Sequence, residues 1–398
     1  MRFIKLSIFF FLSNILILPN LMAIGEKAYL VQKKHLKYFT HKNLSPKTVD
    51  ADFVRVLLSA NDIEHLSKNI HFDDHQCGGF MAVDEEASLE QLKREIKTAK
   101  LTETAENEFS TLEPRFPTQV QQLFSQLQQE DYINYVRQLS QFNDRSARTQ
   151  NGVQASEWIK EKLESFKLEF HRENMDVFFV ETPRYNQKSI VVKLSGSKSN
   201  LPAVVLGGHM DTLSSNKPGA DDDASGSSTL FEIIHKLLKT NTQLQRDTYF
   251  IFYAAEEVGL VGSKAVVEYF SNNNISVRAV MQLDMTGYAV ERSKGKIFFV
   301  TDYTNNALTL YTKKLAKTYL GKTDNQILDL RCNYACSDHA RWTNKGFPAV
   351  FPFESLFQDY NPDIHTSRDT LSTVSAEHAF QFVKLAGAFV IELGEPNK

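Results

Sequence analysis

Two rhythms of apolar residues run along this chain. Val120, Leu123, Phe124 and Leu127 recur at three- and four-residue intervals, as do Trp158, Ile159, Leu163 and Phe166. That spacing predicts helices with one buried face. Beyond Tyr185 the apolar residues gather into short runs, Ser189–Leu194, Ala203–Leu206, Thr248–Tyr253 and Ala279–Leu283. These are of strand length and rich in β-branched and aromatic residues. A helical stripe of Leu230, Ile233, Ile234, Leu237 and Leu238 separates the second run from the third. Short buried strands alternating with helices predict an α/β fold with a mixed, largely parallel central sheet flanked by helices. Such sheets carry their chemistry in the loops just beyond the strand C-termini.

Ahead of this region the pattern differs. Met1-Arg2-Phe3-Ile4-Lys5 gives a basic start, an apolar run extends from Leu6 to Leu18, and Ala23 supplies a small residue near its end. This is the layout of a signal peptide over residues 1–23. A membrane anchor would want about 20 uninterrupted apolar residues, and Ser13 and Asn14 interrupt this run. Lys27, Lys33, Lys34, Lys37 and Lys42 read as a solvated face. Leu44 to Ile70 reads as a small folded unit around Val54, Val56, Leu57 and Leu58. Asp84 to Glu113, rich in Glu, Lys and Thr, reads equally as an exposed helix or a linker. Pro114 and Pro117 mark a boundary, dividing the chain into residues 1–23, 24–116 and 117–398.

Composition narrows the partners. The 398 residues carry 45 basic and 48 acidic side chains, a net charge of -3, so no general field attracts nucleic acid or anionic lipid. With 42% hydrophobic residues there is ample material for a core, and three cysteines cannot build a disulfide scaffold. A secreted, soluble monomer is expected, extracellular or periplasmic, with no nucleic-acid or membrane partner.

Polar clusters then fall where the chemistry of such a sheet belongs. They are Gly207–Asp211 after one strand, Gly219–Gly226 before the helical stripe, Ala254–Glu257 after the next strand, Gln282–Met285, and Asn361–Thr366. Singly, each has a plain explanation: a histidine satisfied in its loop, three aspartates capping a helix, two solvated glutamates. Together they require several carboxylates to converge, which is costly without a cation between them. Histidines mixed with carboxylates suit zinc or a related divalent ion. The candidates are spread from position 209 to position 365, so the site forms only on folding.

The segments GGHMD (207–211), GADDDASG (219–226), AAEEVGLVGS (254–263), QLDMTGY (282–288), CNYACSDHA (332–340) and FES-x-FxDYNPxIHT (353–366) resemble those of the secreted bacterial leucyl aminopeptidases. These are co-catalytic two-zinc exopeptidases, and the resemblance covers roughly Val120 to Leu393, including YNQKS at 185–189. It implies a zinc-exopeptidase (phosphorylase/hydrolase-like) fold and two zinc ions per subunit, or another divalent transition metal. By the same resemblance His209 and Asp284 hold one ion, Glu257 and His365 the other, and Asp222 bridges both. Glu256 is then the general base acting on a water shared by the two ions. Asp211 orients the His209 imidazole, and Tyr334 is a hydrogen-bond donor to the oxyanion or, equally, a wall residue. The family has a cis peptide after the bridging aspartate, here Asp222-Asp223.

Met285, Val300, Phe351, Phe353, Phe357, Tyr360 and Ile364 match positions lining the family's pocket for the first side chain of the substrate, some of them also serving as core. An apolar pocket favours Leu, Met or Phe on peptides with a free N-terminus. Residues 24–116 take the place of the family's propeptide, which implies a processing protease. Cys332 and Cys336 enclose three residues, and in an exported protein a local disulfide is expected over metal binding; Cys77 is left over. Three other readings remain. A carboxypeptidase would want a cation for the substrate carboxylate, for which Arg331, Arg341 and Arg368 are candidates. A single-zinc cyclase needs fewer ligands, and a secreted non-enzymatic binding domain predicts damaged ones.

Overall fold

The structure, a computed structural model, describes residues 25–40, 42–74, 76, 78–104, 107–198 and 200–397; residues 1–23, expected to be a signal peptide, and Cys77 lie outside the described residues. Residues 25–104 build a unit of their own. Its four-stranded antiparallel sheet joins β1 (Lys27–Gln32), β2 (Lys47–Thr48), β3 (Phe53–Leu58) and β4 (Phe80–Ala82) in the order β2-β3-β1-β4. Helix α1 (Ala60–Asp74) buries Ile63, Leu66 and Ile70 with Tyr29, Val31, Val54 and Val56.

The structure adds to two of the sequence readings. The lysine-rich stretch is not simply a solvated face: between Lys27 and Lys33 the run Ala28–Val31 is buried as the central strand of this sheet. The Glu/Lys/Thr-rich stretch contains helix α2 (Leu89–Thr104), which buries Leu92, Ile96 and Ala99 in a cluster shared with Leu260, Tyr303, Ala335 and Ala340 of the main domain. It is a docked helix rather than a linker.

The main domain opens with α3 (Pro117–Phe124), α4 (Gln129–Ser140) and α5 (Gln150–Glu169). Pro117 starts α3, where its missing N–H would have had no helical partner. There follow β5 (Met175–Val180), β6 (Ser189–Leu194), β7 (Ala203–His209), α6 (Ala224–Lys239), β8 (Thr248–Tyr253), α7 (Val261–Asn272) and β9 (Val277–Gln282). The chain ends with β10 (Ile297–Val300), α8 (Asn306–Leu320), β11 (Ile327–Leu330), α9 (His339–Asn344), β12 (Ala349–Phe353) and α10 (Ala376–Gly394). The eight-stranded sheet has the order β11-β10-β12-β9-β7-β8-β6-β5. Its centre, β12-β9-β7-β8, is parallel, while β10 and β6 join it antiparallel, as the apolar pattern leads one to expect.

Strand alternation divides the sheet between two cores. Val204 and Leu206 of β7, with Phe250 and Phe252 of β8, face α4, α6, α8 and α10; Val205, Tyr249 and Ile251 face α7 and Trp342. From β7 the chain passes through α6 to β8 on one side. It then crosses through α7, on the other face, to β9. A crevice opens at the strand C-termini where connections diverge in this way. Among the described residues no helix is long and apolar enough to cross a membrane.

One buried histidine makes stability depend on pH. His378, in the first turn of α10, donates from Nε2 to the Glu354 carbonyl (3.1 Å) and accepts at Nδ1 from the Gln381 amide (3.0 Å), which fixes the neutral ring. Burial lowers its pKa from 6.5 to about 4. The unfolded chain therefore takes up the proton first, so the contribution is complete above pH 6.5 and is lost as pH falls towards 4. The difference in unfolding free energy between wild type and His378→Gln, from urea titrations at pH 7 and pH 4.5, should shrink by roughly 2 kcal/mol at the lower pH. A difference independent of pH would contradict this assignment.

Candidate metal centre

Three of the five candidate ligands stand at or just beyond a parallel strand, and two lie in longer loops. His209 closes β7, Glu256 and Glu257 follow β8, Asp284 follows β9, and Asp222 and His365 lie in the loops entering α6 and leaving β12. Folding draws them into two groups that share one residue: His209, Asp222 and Asp284, and Asp222, Glu257 and His365. The Asp222 carboxylate lies between two imidazoles, its Oδ1 3.0 Å from His209 Nε2 and its Oδ2 3.2 Å from His365 Nε2. Asp284 Oδ1 is 3.5 Å from His209 Nε2, and Glu257 Oε2 is 2.9 Å from His365 Nε2.

The three consecutive aspartates have three different occupations. Asp223 caps α6, accepting from Gly226 N at 2.8 Å, and also accepts from His209 N at 3.0 Å. Asp222 faces the imidazoles. Asp221 turns the other way and accepts from Gly287 N (3.0 Å) and Asn361 Nδ2 (3.1 Å). The Asp222-Asp223 peptide is cis. Gly226 is needed for close approach, since a Cβ there would run into the Leu283 carbonyl. Ala255, Met285 and His365 hold left-handed backbone, at φ 53°, 56° and 57°, a conformation that concentrates around functional loops.

Asp211 does more than the motif implies. His209 Nδ1 is 3.1 Å from its carbonyl oxygen and 3.6 Å from its carboxylate. That carboxylate also accepts from Glu256 N (2.9 Å) and Glu257 N (3.2 Å), fixing the loop that carries both glutamates. Two supporting residues escape the sequence reading. Ser337 donates to Asp284 Oδ2 at 2.5 Å, and only its place inside CNYACSDHA hints at a role. Arg145 is fully buried and donates to the carbonyls of Met210 (2.7 Å), Pro218 and Gly219 (2.8 Å), pinning both ends of the loop between His209 and Asp222. Nothing in its local sequence marks it.

The donor set fits divalent zinc. Asp222, Glu257, Asp284 and both imidazoles are almost wholly removed from water, and Asp222 Oδ2 faces the His365 imidazole. So many carboxylates at close quarters need cations to offset their repulsion. Burial pushes the Asp222 carboxyl up, yet bonds from His209 and His365 hold it well below the ordinary range. Glu256 is driven well above its usual 4.5, first by burial and then by Asp338, Asp284 and Glu257, against the opposing pull of His209. Burial likewise raises Asp338, to about 7. A third group of potential ligands, Asp131, Glu232 and His235, already has its cation: Lys236 Nζ lies 2.5 Å from Asp131 and 3.6 Å from Glu232.

Beside the centre, Met285, Val300, Phe351, Phe353, Tyr360 and Ile364 form one apolar cluster with Tyr334 and the Cys332–Cys336 disulfide; Phe357 packs on it half-buried. The N-terminal unit reaches this rim. Ser67 Oγ is 3.4 Å from His365 Nδ1, the Tyr360 hydroxyl is 2.6 Å from His71 Nδ1, and Gln32 Nε2 donates to Asn333 O at 2.8 Å. Two of the three candidate arginines are committed elsewhere. Arg341 is buried on the carbonyls of Ala82, Gly259 and Leu260, Arg368 is exposed and paired with Asp363 (2.6 Å), and Arg331 lines a cavity of about 400 Å³ at the seam between the units.

A parallel-centred α/β sheet with buried histidines and carboxylates at its strand ends defines a metal-dependent hydrolase class. The chain belongs to peptidase family M28, whose sequence model matches residues 189–390, and it is a metallo-aminopeptidase. Leucine aminopeptidase 1 of Blastomyces gilchristii is 31% identical over 302 residues, 70% of this chain and 76% of that one. The crystal structure of Legionella pneumophila LapB aligns with a TM-score of 0.81 at 31% identity, covering 93% of this chain and 100% of LapB. The LapA aminopeptidase of the same organism aligns at 0.82 with 33% identity, covering 94% and 99%. Coverage that high takes in most of the N-terminal unit as well.

Proposed function

We propose that this metallo-aminopeptidase is an exported di-zinc enzyme that removes leucine, or another large apolar residue, from the free N-terminus of peptides. The observation that carries the reading is Asp222, whose two carboxylate oxygens face two different imidazoles, each backed by its own further carboxylate. His209, Asp222 and Asp284 would hold one ion, and Asp222, Glu257 and His365 the other. Bound zinc supplies Lewis acidity, making water a stronger acid and polarising a carbonyl. Every ligand comes from one chain, so a monomer suffices.

Glu256 is the base. Its backbone is fixed by Asp211 and its neighbour Glu257 faces His365, which leaves the Glu256 carboxylate to take a proton from attacking water and return it to the leaving amine. Tyr334 offers a hydroxyl beside the same rim for the oxyanion. The apolar cluster around Met285, Phe351 and Phe353 receives the first side chain. The commitments of Arg341 and Arg368 count against a carboxypeptidase. The full ligand set counts against a single-zinc cyclase and against a binding domain.

Residues 24–116 act as a propeptide, removed by a processing protease after export directed by residues 1–23. In support, α1 brings Ser67 and His71 against His365, Tyr360 and Pro362, at the rim where a peptide N-terminus would enter.

Leucine-p-nitroanilide should be hydrolysed and an N-acetylated peptide left intact; equal rates on the blocked peptide would refute an aminopeptidase of this design. Glu256→Gln should retain its zinc while kcat falls about 100- to 10,000-fold. Near-normal turnover would exclude Glu256 as the base. Cutting the intact chain at a protease site engineered near Pro117 should raise hydrolysis, whereas equal rates before and after the cut would contradict a covering role for residues 24–116.

A further inference from the structure

We propose that Asp369 is a positioning residue that locks the bridging carboxylate Asp222 to the loop carrying His365. The proposal rests on the di-zinc reading of the centre. Asp369 lies four residues beyond His365 and is fully buried. Its Oδ1 accepts from Asp221 N at 3.0 Å, from Thr373 Oγ1 at 3.1 Å and from Asn361 Nδ2 at 3.3 Å. Its Oδ2 accepts from Asp222 N at 3.0 Å and from Asp221 N at 3.3 Å. Its own carbonyl accepts from Ala220 N at 3.2 Å. One residue thus binds three successive backbone N–H groups of the Asp222 loop while belonging to the His365 segment.

The chemistry calls for a carboxylate. Every hydrogen-bond partner of the Asp369 side chain is a donor, and an ionised carboxylate offers acceptors only. An asparagine of the same shape has one acceptor oxygen, and its amide would direct hydrogens at N–H groups already pointing inward. Burying a further acidic group beside Asp221 and Asp222 is unfavourable, so a residue kept for packing alone would more simply be neutral. The need is geometric. Asp222 lies outside any helix or strand and must present its oxygens to two imidazoles, one at the end of β7 and one in the loop beyond β12. Its backbone is fixed by Asp369 at this point, with Asn361 adding a second tie from the His365 segment to Asp221 Oδ2 at 3.1 Å.

The two metal positions should then respond unequally. His209 ends β7 and Asp284 directly follows β9, so their loops are held by the central sheet. His365 sits in the irregular stretch between β12 and α10, which Asp369 ties down. Loss of the tie loosens the position shared by Asp222, Glu257 and His365 more than the position shared with His209 and Asp284.

The full-length chain and its Asp369→Asn and Thr373→Val variants are dialysed against a series of zinc buffers, with bound zinc counted by elemental analysis. Wild type should hold two ions. Asp369→Asn should lose one of them at a free zinc concentration at least about tenfold higher than wild type, the size typical for removing a group that orients a metal ligand. Its second ion should be retained as in wild type. Thr373→Val keeps the carboxylate and folds without a new buried charge, and should weaken the same single ion to a smaller degree. In zinc excess, kcat should fall with KM little changed. Loss of both ions together, accompanied by a lower melting temperature of the zinc-free variants, would assign Asp369 a merely structural part and overturn the proposal. So would two ions held as in wild type by every variant that folds. A wild-type chain holding fewer than two ions would instead overturn the di-zinc reading, and the proposal with it.

Discussion

Mutual repulsion among buried carboxylates is the constraint on which this molecule depends. Asp211, Asp222, Asp223, Glu256, Glu257, Asp284 and Asp338 all lie out of water around two imidazoles, with the guanidinium of Arg145 spent on backbone carbonyls. No folded chain assembles such a group for stability, because each charge loses its hydration and gains like-charged neighbours. The arrangement becomes favourable when cations occupy the centre, and the division of labour among the acids follows from that. Asp211, Asp221 and Asp223 neutralise backbone N–H groups, while Asp222, Glu257 and Asp284 turn towards the imidazoles.

The sheet supplies the precision this needs. Parallel strands β7, β8 and β9 end side by side, so residues from distant parts of the chain arrive at one edge without long loops. The divergence of α6 and α7 to opposite faces leaves the crevice open above β7. Only His365 and Asp222 lack a strand of their own. They are the residues around which Asp369, Asn361 and Arg145 are gathered.

How much of this was legible in the sequence depended on whether a residue's neighbours in the chain were also its neighbours in space. Ser189–Leu194 and Thr248–Tyr253 were read to the residue because strands buried on both faces are apolar throughout. The ligand loops were readable because each polar cluster directly follows such a run. The strand Lys27–Gln32 was hidden, since its five buried residues are bracketed by lysines whose long side chains reach solvent from a buried backbone. Burial of Leu92, Ile96 and Ala99 depends on a partner surface nearly 170 residues away at Leu260, so a helix with many charges looked free-standing. Arg145 was invisible for the converse reason. A charged residue reads as surface, and only the folded loop between Met210 and Gly219 shows it surrounded by carbonyls.

The N-terminal unit adds a second layer to the same design. Its sheet and helices dock through an apolar seam, and they deliver Ser67 and His71 to the one edge where the main domain opens. Besides that seam, it contacts the rim of the centre and the loop between the disulfide cysteines. Anomalous diffraction recorded at the zinc absorption edge from zinc-grown crystals tests the proposed pair of cations most directly. Two peaks flanking the Asp222 carboxylate, each about 2.0–2.3 Å from its imidazole and acidic ligands, are the expected result. A single peak, or scattering elsewhere with these side chains turned apart, would contradict it.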